Sequence, residues 1–321
     1  MSFRFDHVGL LTENVDHSLA VYRALGCRVM ERSYRRGEYD VAYFGAGTDV
    51  LLEFQGPPLL AEDVEYVDRH GWSIERIALV CADVRAEYDA LIATGVESAW
   101  TPEPFVVDGV TLAIAAGVWS PEGLMIDLVQ HVNVAVPRPE RDGRDGLSLH
   151  HVCCLSPDLD ATTRFWTSRF GLTKVYDFTK DNAGFVMLAD AHWEPDGHDF
   201  FLEIIGGTHD SIDGPVWESR GPCYDHVCFT TADVEGTWQR AVDQGVQPLS
   251  EPRRYPEYDA TIGWLYDADG NHIELMTPIA PDLVRDVLDT GLCSNHWVDD
   301  WQRNPPVFPR PEAGPTILMS P

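Results

Sequence analysis

Four stretches of the chain open on the same short mixture of apolar and polar positions. They are Phe5-Asp6-His7-Val8-Gly9-Leu10, Ile74-Glu75-Arg76-Ile77-Ala78-Leu79, Leu149-His150-His151-Val152-Cys153-Cys154 and Tyr224-Asp225-His226-Val227-Cys228-Phe229. Each is short, rich in β-branched or apolar residues, and predicts a strand. A helical pattern follows each after a short turn, over 15–25, 84–94, 159–170 and 234–244. Asn14, Asp83, Asp158 and Asp233 stand just before these helices, where a side-chain oxygen can accept from the free amides of the first turn. Gly26, Gly95, Gly171 and Gly245 come after them, as a left-handed C-terminal cap requires. Further strand-like runs follow each glycine, the last of them over 49–54, 124–129, 200–205 and 271–276.

The unit is thus a strand, a helix and three strands, and it occurs four times. Its anchor positions lie at 7, 76, 151 and 226, spaced by 69, 75 and 75 residues. So even a period over most of the chain marks an internal repeat. It predicts an α+β fold of four βαβββ modules. Pro137, Pro139, Gly143 and Gly146 among alternating charges predict a linker at 137–147, between an N-terminal domain of two modules (1–136) and a C-terminal domain of two modules (148–280). Residues 281–321 hold a short helical pattern and a proline-rich tail, to which no chemistry is assigned. Sequential elements usually neighbour in space, so the third module is expected to pack with the fourth. The alternative packs the first with the fourth.

The repeat exposes the candidate chemistry. The first-strand position is His7, Arg76, His151 or His226, and the last-strand position is Glu53, Asp127, Glu203 or Glu274. Charged groups inside strands are costly to bury unless paired or bound to a cation, so their recurrence in register implies a shared polar site. Imidazoles with carboxylates suit one divalent ion, Fe, Mn, Ni, Co or Zn. Arg76 stays protonated and cannot be a ligand; it could neutralise Glu53 and Asp127 instead. The expected metal set is therefore His151, Glu203, His226 and Glu274, with the N-terminal half metal-free. Were the first and fourth modules paired, His7 and Glu53 would join His226 and Glu274 in an equally complete set. Around the site, Tyr255, Tyr258 and Trp264 are candidate substrate contacts. His272 shares the face of Glu274, two residues on, and could donate to it or to substrate. Phe185, Phe201, Trp217 and Trp264 could wall a ring-sized substrate or simply pack the core, and His150 is expected to point away from His151.

Composition narrows the partners. The 321 residues carry a formal charge of −29, which opposes binding to nucleic acid or anionic membrane. No secretory signal and no apolar run of membrane-spanning length is visible. The seven cysteines are odd in number and irregularly spaced, and read as reduced thiols of a cytoplasmic protein. No phosphate-binding loop, dinucleotide fingerprint or nucleophile elbow occurs. A small-molecule substrate is the expected partner, with self-association into a homo-oligomer open.

With its first-strand histidines in "DHV" and "HHV" contexts and the ending Tyr266-Asp267-Ala268-Asp269-Gly270-Asn271-His272-Ile273-Glu274-Leu275, the repeat resembles the vicinal oxygen chelate superfamily. That superfamily includes glyoxalase I, methylmalonyl-CoA epimerase, type I extradiol dioxygenases and fosfomycin-resistance proteins. The resemblance covers residues 5 to about 278. It implies paired modules forming half-open barrel domains around a metal that holds two adjacent substrate oxygens. Similarity to extradiol ring-cleaving dioxygenases implies His151, His226 and Glu274 as ligands of Fe(II). Against this, Trp264 and Tyr255 stand where such enzymes carry a Tyr and a His. Similarity to glyoxalase I adds Glu203, with Glu203 or Glu274 as a base that moves a proton alpha to a carbonyl. Isomerase, epimerase or lyase chemistry is thus preferred over ring cleavage. A metal-free small-molecule-binding protein is a third reading.

Overall fold

The computed structural model describes residues 4–12, 18, 21–22, 28–35, 39–45, 50–55, 74–107, 109–120, 123–132, 140–141, 144–145, 148–180, 183–190, 200–206, 226–255 and 260–278. Module one gives strands β1 (Arg4–Leu11), β2 (Arg28–Arg35), β3 (Tyr39–Gly45) and β4 (Leu51–Gln55). Module two gives β5 (Ile74–Val80), helix α1 (Val84–Ala93), β6 (Ser98–Val107), β7 (Val110–Trp119) and β8 (Met125–His131). The short strands β9 (Glu140–Arg141) and β10 (Arg144–Asp145) pair in the central segment. Module three gives β11 (Ser148–Ser156), α2 (Leu159–Phe165) continued by a π-helical turn (Trp166–Phe170), β12 (Thr173–Lys180), β13 (Ala183–Ala189) and β14 (Phe201–Gly206). Module four gives β15 (His226–Thr230), α3 (Val234–Asp243), β16 (Pro248–Tyr255), β17 (Ala260–Tyr266) and β18 (His272–Met276).

The helix boundaries follow from the sequence. Asp83 Oδ1 accepts from the amides of Arg85 and Ala86, Asp158 from Ala161, and Asp233 from Gly236. Gly171 closes the α2 segment at φ 70°, a left-handed conformation that a Cβ would strain. In module one only Ser18, Val21 and Tyr22 of the expected helix are described, and all three are helical; Asn14 and Gly26 lie outside the described residues. No helix among the described residues is long and apolar enough to cross a membrane.

The strands form two eight-stranded sheets, β16-β17-β18-β15-β1-β4-β3-β2 and β12-β13-β14-β11-β5-β8-β7-β6. The first sheet therefore joins modules one and four, and the second joins modules two and three. This corrects the expected packing of module three with module four. It also means that the segment 137–147 connects two modules of one sheet and does not separate the sheets. The rule that neighbours in sequence are neighbours in space is satisfied by modules two and three as well as by three and four, so it could not choose. Once β5 and β11 pair antiparallel, the free edges of β1 and β15 are left for one another.

Alternation along the strands sends one face to a shared core. Val8, Leu10, Leu52 and Phe54 of the first sheet and Ile77, Leu79, Val152 and Leu202 of the second belong to a single buried cluster. Trp166 and Phe170, from the α2 segment, pack on Phe229 of β15 with ring centroids 5.8 Å away in each case, which ties module three to the first sheet. Burying a side chain such as Phe229 stabilises the fold by roughly 1.5–3 kcal/mol. The opposite, concave faces carry the polar residues. The second sheet curls into a half-barrel, so that Phe105 on β6 and Phe185 on β13, six strands apart in sheet order, come within 6.3 Å.

Candidate metal centre

Register puts the repeated polar residues on the concave faces. In every module the last strand runs parallel to the first, and the pairs are Gly9 with Glu53, Ala78 with Asp127, Cys153 with Glu203, and Cys228 with Glu274. Two residues before each small residue stand His7, Arg76, His151 and His226, on the same face. The eight groups then divide by sheet. His226 and Glu274 meet His7 and Glu53, whereas His151 and Glu203 meet Arg76 and Asp127. The structure thus does not bring His151 and Glu203 together with His226 and Glu274. It forms the alternative set instead, and Arg76 faces Asp127 and not Glu53.

A bulge aims each leading histidine. Asp6 is the extra residue between Phe5 and His7 in the β1–β15 ladder, and His150 is the extra residue between Leu149 and His151 in the β11–β5 ladder. In both cases the bulged side chain turns to the next ring. Asp6 Oδ1 lies 2.7 Å from His7 Nδ1, and His150 Nδ1 lies 2.8 Å from His151 Nδ1. His150 is therefore not directed away from His151, as simple alternation predicted.

In the first sheet four donor atoms converge. His7 Nε2 is 2.9 Å from His226 Nε2, 3.1 Å from Glu274 Oε2 and 3.4 Å from Glu53 Oε2. His226 Nε2 is 3.1 Å from Glu274 Oε2 and 3.4 Å from Glu53 Oε2. All four side chains are buried. Two ligands at right angles on an ion with bonds of about 2.1 Å stand about 3 Å apart, so this donor set fits a single divalent ion. Burial raises the Glu274 carboxyl, but hydrogen bonds from His226 and His7 outweigh it and hold the group at about 2. For His7, burial pulls the imidazole down, while the Cys228 sulfur, Glu53 and the Asp6 hydrogen bond together raise it well above the usual range.

In the second sheet a guanidinium takes the place of an imidazole. Arg76 Nε is 3.4 Å from Asp127 Oδ2, and His151 Nε2 is 3.4 Å from Glu203 Oε2. Burial, with help from Arg76 and His131, lowers His151 to about 3, so the ring is neutral. Burial also raises Asp127 to about 6, against the attraction of Arg76 and with repulsion from Glu203. Glu203 is raised by burial as well, less the effect of Arg76. This set contains its own cation.

Trp264, opposite Glu274 on β17, stands edge-on to His226 at 5.0 Å and 6.3 Å from His272, so both expected contacts border the first-sheet site. Tyr255 lies at the end of β16, two strands away, with its hydroxyl accepting from Arg253 at 2.8 Å. Tyr258 and Trp217 lie outside the described residues. Three site residues were not anticipated. Asp6 orients His7. Gly9 leaves room for the His226 ring, and Cys228 lies across from His7 in the ladder. The recurring Asp-His pair at 6–7 and 225–226 was a signal for the first.

Residues 148–275 match the family model of the Glyoxalase/Bleomycin resistance protein/Dioxygenase superfamily. Among solved structures, glyoxalase I from Zea mays aligns over 92% of this chain and 97% of its own at 18% identity and a TM-score of 0.67. A protein of Bacillus subtilis aligns over 97% of this chain and 98% of its own at 14% identity and a TM-score of 0.61. The fold is that of the vicinal oxygen chelate superfamily. No curated protein matches the chain in sequence. At these identities the structural likeness establishes architecture alone, and the chemistry of this chain rests on its own two unlike sheets.

Proposed function

We propose that the chain is a divalent-metal-dependent enzyme that moves a proton at the carbon beside a carbonyl, in a small substrate with two adjacent oxygens. His7, Glu53, His226 and Glu274 would hold the ion. The observation that carries this reading is the convergence of their four donor atoms, with separations of 2.9–3.4 Å among the five measured pairs. A bound divalent ion supplies polarisation of the carbonyl, which acidifies the neighbouring C–H.

The residues themselves divide the remaining work. Glu274 is hydrogen-bonded by both imidazoles and held at about 2, so it is a weak base and a firm ligand. Glu53 stands farther from both rings, at 3.4 Å, and is the carboxylate assigned to take and return the proton. Asp6 fixes His7 with Nε2 facing the site, and Trp264 walls the side next to His226. Two carboxylates exceed the two-histidine, one-carboxylate set of oxygen-activating iron sites, which favours proton transfer over ring cleavage.

The test uses purified protein loaded in turn with Ni, Co, Mn, Zn and Fe(II). Hydron exchange from deuterated water into 2-hydroxyketones and thiohemiacetals of 2-oxoaldehydes is followed by NMR, beside oxygen uptake on catechols. Glu53→Gln should keep the ion and lose exchange at least about 100-fold. Iron-dependent oxygen uptake that survives Glu53→Gln would replace this reading with the dioxygenase one.

A further inference from the structure

Each leading residue of a module faces a small one across the antiparallel ladder that joins the paired modules. The four crossings are His7 with Cys228, Arg76 with Cys153, His151 with Ala78, and His226 with Gly9. One of the four, His7 with Cys228, sets a sulfur opposite an imidazole. The bulge in β1 adds a carboxylate at the same point, because it turns Asp6 onto His7.

Oxygen, nitrogen and sulfur therefore meet beside the first site. Asp6 Oδ1 lies 2.7 Å from His7 Nδ1, and the Cys228 sulfur shares a hydrogen bond with the His7 ring. One donor atom from each of the three falls within 4.8 Å of the other two. Bonds of about 2.0–2.3 Å to one ion span slightly less than that, so a small inward shift closes the set. Cys228 is wholly buried and packs with Ala260 and Met276 in a small cluster separate from the main core. The Asp6 side chain keeps 31% exposure, which gives an ion a way in and leaves a position for water.

We infer that Asp6, His7 and Cys228 form a second cation site, which takes a thiophilic ion such as zinc. A thiolate, an imidazole and a carboxylate are donors that borderline and soft ions select, whereas manganese and other oxygen-preferring ions fill the first site alone. On binding, the Cys228 thiol proton and the Nδ1 proton shared with Asp6 leave to solvent. His7 then bridges, with Nε2 on the first ion and Nδ1 on the second. The bridge rests on the proposed first ion; the site itself does not, since Asp6 and Cys228 belong to no other donor set.

The probe is cadmium, titrated into the metal-free full chain and followed by cadmium NMR, in which a thiolate ligand moves the resonance far downfield of nitrogen–oxygen sites. Two resonances are expected, one of each kind. Cys228→Ser should abolish the downfield one and keep the other, and Glu274→Gln should do the reverse. Asp6→Asn should raise the cadmium concentration that half-fills the downfield site at least about tenfold, and covers the case in which Cys228→Ser does not fold. A downfield resonance that survives Cys228→Ser, or none at all, overturns the inference. So does a single resonance lost in both Cys228→Ser and Glu274→Gln, because the two sets would then be one centre. A downfield resonance that depends on Cys228, with no nitrogen–oxygen resonance beside it, would support this site and count against the first.

Discussion

Gly9 lies directly beneath the imidazole of His226, so close that a Cβ on Gly9 would stand 2.2 Å from Cε1 of the ring. The two residues face each other in the β1–β15 ladder, and the backbone of one module makes room for the imidazole of the other. Gly9→Ala should therefore displace the ring and lower affinity for the divalent ion at least about tenfold. The overpacking itself should cost about 1–3 kcal/mol of stability. Metal content after dialysis, read beside calorimetric unfolding, checks both; wild-type metal retention would contradict the assignment of His226 as a ligand.

Asp6 makes metal binding depend on pH in a defined way. His7 is raised well above its ordinary range, because the Cys228 sulfur, Glu53 and Asp6 outweigh its burial. The ion must displace that proton, so its affinity should climb as pH rises through the raised value. Asp6→Asn should move the climb to lower pH and reduce the plateau affinity about 10- to 100-fold. Competition with a chelator across a pH series measures the two effects separately, and an unchanged curve would remove Asp6 from the site.

Arg76 stands in the second sheet where an imidazole stands in the first. Arg76→His would set a second imidazole beside His151, Asp127 and Glu203, and should raise the ions bound per chain from one to two. Arg76→Met should instead leave two buried carboxylates without a cation. Breaking such a pair costs roughly 3–5 kcal/mol, and the lower end applies because the Arg76 side chain keeps 17% exposure. Elemental analysis and urea unfolding supply the numbers.

Buried groups pull the stability of the metal-stripped protein in opposite directions with pH: His151, lowered to about 3, contributes more as pH rises from there to about 6.5, whereas raised carboxyls contribute less. Burial above all raises Asp267 to about 7 and Asp127 to about 6. An acid raised in the folded state holds its proton more tightly there than in the unfolded chain. Its contribution is therefore complete below the unfolded value and is lost as pH rises through the folded one. Glu274, held at about 2, acts in the opposite sense and loses its contribution as pH falls below about 4.5. Urea unfolding in steps from pH 3 to 8, wild type beside Asp267→Asn, should show the wild type losing stability relative to the variant between about 4 and 7. Parallel curves over that interval would refute the assignment.

Much of this was legible in the residues, because strands and caps are local. Asp83, Asp158 and Asp233 announced their helices, and the eight polar positions could be aligned by counting from one repeat to the next. The division of those eight between two sheets was not legible. Either pairing of modules yields one set with two imidazoles and another with an imidazole and Arg76, so charge and ligand chemistry were indifferent to the choice. The bulges were hidden for another reason. A residue such as His150 changes face only once its strand has paired with an irregular partner, and that register is a property of β5 and β11 together. One pattern could have been noticed: the residue two places after each leading position is Gly9, Ala78, Cys153 or Cys228, all small. That is the space the opposing His or Arg needs.

The pairing of the first module with the fourth also fixes an order of events during synthesis. His7 and His226 are separated by 219 positions, so β1 is made early and waits for β15 through most of translation. Modules two and three can meanwhile complete their own sheet, leaving β1 with an unpaired backbone edge of the kind that attracts other chains. A product that stops before His226 would carry that edge and only His7 and Glu53 of the four proposed ligands. Premature termination at such a point should therefore yield material prone to aggregate and lacking the proposed ion site.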